Sequence, residues 1–135
     1  DFDVFLSLPT TSPLRSQSDI NNLLKAFIKN VDVVISVTPS YRNPAFNMVR
    51  INKNGLTNLI EKTKKVSRRQ DAPKYFDITT VGYVTRPHFI LTKNNLFSGK
   101  VKSIIVPKER SIDIDDLTDA RIAEFLYERS KKFKK

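Results

Sequence analysis

Cysteine is absent from the 135 residues, so neither a disulfide framework nor a thiolate metal site exists, and a single histidine rules out multi-histidine zinc chemistry. Any metal must be held by oxygen. Glycine is also scarce: Gly55, Gly82 and Gly99 stand far apart, which excludes a glycine-rich phosphate loop. No Ser/His/Asp order is present, and His88, in Arg86-Pro87-His88-Phe89, has no acid or nucleophile near it in sequence and reads as a surface residue at a helix start. No apolar run approaches the roughly 18 residues needed to span a bilayer, and no basic-then-apolar signal segment opens the chain. A cytoplasmic location follows by default. An initiator methionine is missing too, and Asp1-Phe2-Asp3-Val4-Phe5-Leu6-Ser7-Leu8 looks like the middle of a buried strand, so a fragment or processed product is expected.

What is present can build an ordinary core: 39% of the residues are hydrophobic, and the length suits one domain, taken as 1–135, or part of one. The formal net charge of +10 is unevenly placed. Lys62, Lys64, Lys65, Arg68 and Arg69 form one acid-free run, and Arg129, Lys131, Lys132, Lys134 and Lys135 form another, leaving 14 basic side chains against 14 acidic ones elsewhere. The C-terminal run reads as a solvated tail. The first run ends in Arg68-Arg69-Gln70, where clustered arginines are suited to an anionic substrate or are simply surface charge.

Periodicity supplies an α/β fold. Val4 to Leu8 is a short apolar run typical of a central strand, and Pro9 to Arg15 breaks it. Ser16 or Ser18 then caps a helix whose Ile20, Leu23, Leu24, Phe27 and Ile28 share one face, ending near Asn30. Asp32 to Thr38 is a second buried strand, giving the βαβ rhythm of a mostly parallel sheet. Phe46, Met48, Val49 and Ile51 form a candidate strand, with a turn at Lys53-Asn54-Gly55 and a partner from Leu56 to Ile60. This hairpin-like excursion, residues 41–73, is a candidate dimerisation arm. Ile78 to Thr85 is a further strand, Pro87 to Lys93 a helical turn, and Lys100 to Val106 an alternating strand. A closing helix from Leu117 to about Ser130 carries Ile122, Phe125 and Leu126 on its apolar side.

The richest stretch is Ser111-Ile112-Asp113-Ile114-Asp115-Asp116. If strand geometry continues from Val101 to Ile114, Asp113 and Asp115 point one way and Ile112 and Ile114 into the core. Two carboxylates sharing a patch repel unless a cation sits between them, and Mg²⁺ prefers such oxygen ligands. Alternatively Asp115 or Asp116 caps the closing helix and Asp113 is merely solvated. In an open α/β sheet ligands bind beyond the carboxyl ends of the strands, where two more polar segments should converge. These are Thr10-Thr11-Ser12-Pro13-Leu14-Arg15, whose hydroxyls, amides and Arg15 suit an anion or simply lead into a helix cap, and Arg68-Arg69-Gln70. Together the three would bind a metal-chelated polyphosphate beside a second anion, the minimum kit for nucleotidyl transfer. Tyr75, Phe76 and Tyr83 are stacking candidates or core aromatics.

Three motifs, Thr11-Ser12-Pro13-Leu14-Arg15-Ser16 with Asp19-Ile20, Arg68-Arg69-Gln70-Asp71-Ala72-Pro73, and Ser111-Ile112-Asp113-Ile114-Asp115, occur in this order along essentially the whole chain. In them the chain resembles the N-acylneuraminate and related nonulosonic acid cytidylyltransferases. The resemblance implies a Rossmann-like nucleotide-diphospho-sugar transferase fold, a homodimer, and Mg²⁺-dependent attack of a sugar's anomeric hydroxyl on CTP, giving CMP-sugar and pyrophosphate. It implies that Asp113 and Asp115 hold the metal, that Arg69 helps receive the sugar carboxylate, and that Tyr83 and Phe97 line the sugar pocket. Ser12, Arg15, Arg68, Gln70, Thr79 and Thr80 complete the expected substrate contacts. Two departures stand out: Pro9 replaces a glutamine, and Asp77-Ile78-Thr79-Thr80-Val81-Gly82 replaces an Arg-Pro-Asn-Gly-Ala motif. Without that arginine, a legionaminic, pseudaminic or other nonulosonic acid is as plausible a substrate as sialic acid. The family's N-terminal strand and its nucleotide-phosphate loop are expected to precede Asp1. The competing expectation is a silent module that binds nucleic acid or another anion through its basic run, against which stands the lack of any nucleic-acid motif.

Overall fold

In a computed structural model, residues 2–61 and 72–132 are described. They form two compact units, one from residues 2–38 and 78–132 and the other from the described residues between 39 and 77.

The first unit holds most of a four-stranded mixed sheet in the order β1 (Phe5–Ser7), β5 (Phe76–Thr85), β2 (Val33–Pro39), β6 (Val101–Ile105). β1 pairs antiparallel with β5, with Leu6 opposite Val84, whereas β2 and β6 are parallel, with Ile35 opposite Ser103. Contacts of Thr85 with Asp32, and of Thr79 and Gly82 with Ser36, run in opposite order along β5 and β2. β1, β2 and β6 therefore share a direction, and β5 opposes them.

β2 explains the layering. Its side chains alternate, so Val34 enters one cluster with Leu23, Val31 and Val84, while Val33, Ile35 and Val37 enter another with Phe89. Helix α1 (Gln17–Ala26) covers the first face and the short helix α2 (Pro87–Thr92) contributes Phe89 to the second. A strand covered on both faces needs no polar alternation, and a run that is apolar except at Ser36 results. Each fully buried valine stabilises the fold by about 1.5–3 kcal/mol. Gly82 permits close packing of α1, because a Cβ there would stand 2.6 Å from Leu23 Cδ1. The buried Ser36 hydroxyl accepts from the Gly82 N–H at 3.1 Å and from the Thr79 hydroxyl at 2.8 Å, which fills both of its lone pairs.

Three sequence expectations need correction. Helix α1 stops at Ala26, not near Asn30, because the Phe27 N–H bonds back to the Leu24 carbonyl and the chain turns to bury Val31. Leu24 and Ile28 are consequently exposed. In the last helix, α3 (Leu117–Lys132), Ala123 is the buried position, while Ile122 and Phe125 face outward. Finally, the strand does not continue from Val101 to Ile114. β6 ends at Ile105, the Val106 N–H bonds to the Val37 carbonyl, and after Pro107 the chain makes a 3-10 turn at Lys108–Arg110.

The second unit contains a hairpin of β3 (Val49–Ile51) and β4 (Thr57–Leu59), paired antiparallel with Arg50 opposite Asn58. Its turn follows the Lys53-Asn54-Gly55 signal, with Gly55 at φ 77° and the Asn52 side chain accepting from the N–H groups of Asn54 and Leu56. Nothing in the described residues tests its role as a dimerisation arm.

Candidate functional site

The loops after β1 and β6 both leave the carboxyl edge of the parallel strands, and a hydrogen bond joins them. The Ile114 N–H donates to the Thr11 carbonyl at 2.9 Å. On the same loop the buried Ser12 hydroxyl meets the Thr80 hydroxyl of β5 at 2.6 Å. Tyr83, also on β5, ionises above its ordinary value, first because it is half-buried and then because the Asp113 carboxylate is nearby. Two pairs from three segments result, Ser12 with Thr80 and Asp113 near Tyr83, and the bond between Thr11 and Ile114 ties their loops together.

Asp113 is half-buried, and its Oδ1 atom is buried without a hydrogen-bond partner among the described residues. A buried carboxylate oxygen left unpaired costs on the order of 1–3 kcal/mol or more, so such an atom points to a ligand. Asp115 stands exposed beside it in the chain. The strand alternation expected to align the two does not occur, and a loop tied to Thr11 presents them instead. The helix cap goes to Asp116, whose carboxylate accepts from the N–H groups of Thr118 at 2.6 Å and Asp119 at 3.0 Å. Asp119 reciprocates by accepting from the N–H groups of Asp115 and Asp116. Capping therefore consumes Asp116 and leaves the carboxylates of Asp113 and Asp115 out of the bond set.

As a test of fit, no group of three or more His, Cys, Asp or Glu side chains that could hold a metal exists among the described residues. Mg²⁺ typically needs only one or two carboxylates, with water and substrate phosphate completing its shell. Asp113 fits that requirement through its Oδ1 atom, which has no partner among the described residues, and Asp115 is an exposed carboxylate two residues on.

Other expected residues fall elsewhere. Arg15 braces its own loop: its Nε donates to the Ser12 carbonyl at 3.1 Å and its Nη2 to the Pro9 carbonyl. Thr79 is buried and donates to Ser36, so its hydroxyl belongs to the core and not to the crevice. Phe97 lies in a 3-10 turn at Leu96–Ser98 that precedes β6, at the opposite edge of the sheet from Asp113. A five-residue strand separates the edges by roughly 17 Å. Arg68, Arg69 and Gln70 lie outside the described residues.

Two features escaped sequence reasoning. Thr38, near the end of β2 at the same carboxyl edge, has a buried hydroxyl without a partner among the described residues. Its only signal is a hydroxyl residue ending an apolar strand. The second is Asp19, 2% exposed, which takes both arms of the Arg110 guanidinium at 2.8 Å. Asp19 also accepts from the Ser16 N–H at 2.9 Å and hydroxyl at 2.7 Å, while the Ser16 hydroxyl caps the helix, so the Ser-x-x-Asp spacing was the available clue. Burial alone would raise this carboxyl, but Arg110 and Ser16 together hold it at about 2.

In an open α/β sheet ligands bind in the crevice beyond the carboxyl ends of the strands, which is where these two loops meet. No family model matches the chain. Individual relatives do. The chain is 29% identical over 126 residues to post-translational flagellin modification protein B of Campylobacter coli, covering 93% of this chain and 53% of that protein. It is 30% identical over 93 residues to CMP-N,N'-diacetyllegionaminic acid synthase of Campylobacter jejuni, covering 69% and 39% respectively. It is 21% identical over 126 residues to a pseudaminic acid cytidylyltransferase of Campylobacter jejuni, covering 93% and 54%. The chain is similar to nonulosonic acid cytidylyltransferases, at modest identity, and spans about half the length of these curated relatives or less.

Proposed function

We propose that the protein carrying this chain activates a nonulosonic acid of the legionaminic or pseudaminic type with CTP, giving CMP-sugar and pyrophosphate. The observation that supports this reading is the buried Oδ1 atom of Asp113, without a partner among the described residues, near Tyr83 and on a loop bonded to Thr11 at the carboxyl edge of the sheet. In the reaction the sugar's anomeric hydroxyl gives up its proton to water as its oxygen bonds to the α-phosphorus of CTP, the bond from that phosphorus to the bridging oxygen breaks, and pyrophosphate leaves. Asp113 and Asp115 would hold Mg²⁺, which when bound neutralises phosphate charge. The β1 loop, stiffened by the inward bonds of Arg15, would set a rigid wall of amides and hydroxyls for substrate oxygens, with the Ser12 side chain oriented by Thr80. Tyr83 stays protonated across the neutral range and so offers a hydroxyl rather than a second negative charge beside Asp113. Arg68, Arg69 and Gln70 would receive the sugar carboxylate.

We also propose that residues 41–73 pair with a second copy of the chain. Val49, Ile51, Leu56 and Ile60 are exposed on a hairpin, and an isolated two-stranded hairpin is marginal in water.

The test is incubation of the native full-length protein with CTP, Mg²⁺ and, separately, legionaminic, pseudaminic and N-acetylneuraminic acids, following pyrophosphate release. EDTA-sensitive turnover with one of the first two is expected. No turnover with any sugar, together with steeply salt-dependent binding to arbitrary DNA, would replace this reading with the anion-binding module.

A further inference from the structure

The segment from Ser111 to Ile114 is fastened at both ends to one piece of structure. Ahead of it, the Nε and Nη2 atoms of Arg110 grip the two carboxylate oxygens of Asp19, in the first turn of α1, at 2.8 Å each. At its far end the Ile114 N–H is bonded to the Thr11 carbonyl at 2.9 Å, and Thr11 belongs to the loop that leads into α1. Asp113 hangs between these anchors, and Asp115 follows directly after the second.

The first anchor is rigid for a physical reason. An exposed ion pair between flexible side chains fixes little, but here one partner is buried and the other is a planar fork engaged through two parallel bonds. The Asp19 carboxylate is further held by the Ser16 N–H and hydroxyl, so it has no freedom to follow Arg110 if the loop drifts. Helix α1 is in turn packed on the sheet through Leu23, which is fully buried.

We propose that Asp19 and Arg110 form a positioning clamp that sets where Asp113 and Asp115 stand relative to the β1 loop. The inference rests on the reading of those aspartates as metal-binding carboxylates. Neither clamp residue touches substrate; both act through the segment they fix. Lysine would keep the charge at 110 but, as a single point donor, would lose the fork.

The experiment compares Arg110→Lys and Asp19→Asn with the parent in the native full-length protein, by amide hydrogen exchange and by metal dependence of turnover. Exchange across residues 111–116 is expected to accelerate at least about tenfold while that of Val33–Pro39 is unchanged, since local opening is separable from global unfolding. The Mg²⁺ concentration giving half-maximal CMP-sugar formation should rise at least about fivefold, with kcat at saturating metal altered less than about twofold. Val31→Ala, which trims the α1 side of the core away from the clamp, serves as the stability control. A folded Arg110→Lys protein that exchanges like the parent across 111–116 overturns the proposal. So does an equal acceleration in Val31→Ala at matched loss of stability. A parent protein that forms no CMP-sugar removes the proposed function, and the exchange comparison then decides the clamp alone.

Discussion

The two ends of β2 handle polar groups in opposite ways. At the amino end Asp32 is engaged: its carboxylate accepts from the Lys100 N–H at 2.7 Å, its carbonyl accepts from the Thr85 hydroxyl at 2.9 Å, and a Cβ on Gly99 would collide with its side chain. At the carboxyl end, Thr38 and Asp113 each keep a buried oxygen with no partner among the described residues. A folded chain tolerates such atoms where something else satisfies them, and elsewhere it closes them off. The proposed function builds on this contrast, with structure at one edge and ligand binding at the other.

The sharpest way to break this contrast is to remove one carboxylate from each end. Asp113→Asn should lower turnover at least about a hundredfold, near 3 kcal/mol of barrier, with stability in urea changed by less than about 1 kcal/mol. Full turnover in that variant would dissolve the functional assignment of the carboxyl edge. Asp19 tests the region next to it through pH. Its folded value of about 2 lies below the unfolded value of 3.8, so its contribution is present above about pH 4 and is lost as pH falls toward 2. The shift corresponds to roughly 2 kcal/mol, and urea titrations of Asp19→Asn should show a correspondingly flatter acid limb. At the amino end, Asp32→Ala leaves the Lys100 N–H without its acceptor and should cost about 1–2 kcal/mol of stability, with turnover per folded molecule within about twofold of the parent. Smallest of all, Asp113→Asn should move the titration of the Tyr83 ring resonances to lower pH without returning it to the ordinary value, because burial, the larger cause, persists.

Much of the architecture was legible because it rests on local pattern. Val33, Val34, Ile35 and Val37 are all apolar because both faces of β2 are covered, with the one polar residue among them, Ser36, bonded inside the core, and the hairpin follows from a turn whose Gly55 adopts a positive φ. The site was legible only as a list of residues. Asp113 and Asp115 were expected on a strand, yet their segment is an irregular loop whose half-buried Ile112 and Ile114 imitate strand alternation. What holds it are bonds to Thr11 and Asp19, at the far end of the chain, and a periodicity reading cannot see such partners. Arg15 shows the same limit: an arginine in a hydroxyl-rich loop suggests an anion, and the loop's own carbonyls claim it. In α3 the pattern of large apolar residues pointed to Ile122 and Phe125, whereas close approach to the domain selected the small Ala123.

The bond between Ile114 and Thr11 also bears on the order of folding. It closes about three quarters of the chain into a loop, and the entropy lost in such closure is recovered only once the intervening strands have paired. The edge that carries the carboxylates should therefore assemble after the β2 core, at or beyond the transition state. Substitutions that loosen it should accelerate unfolding and leave the folding rate nearly unchanged, so a chain trapped before that last closure would hold its core and lack its site.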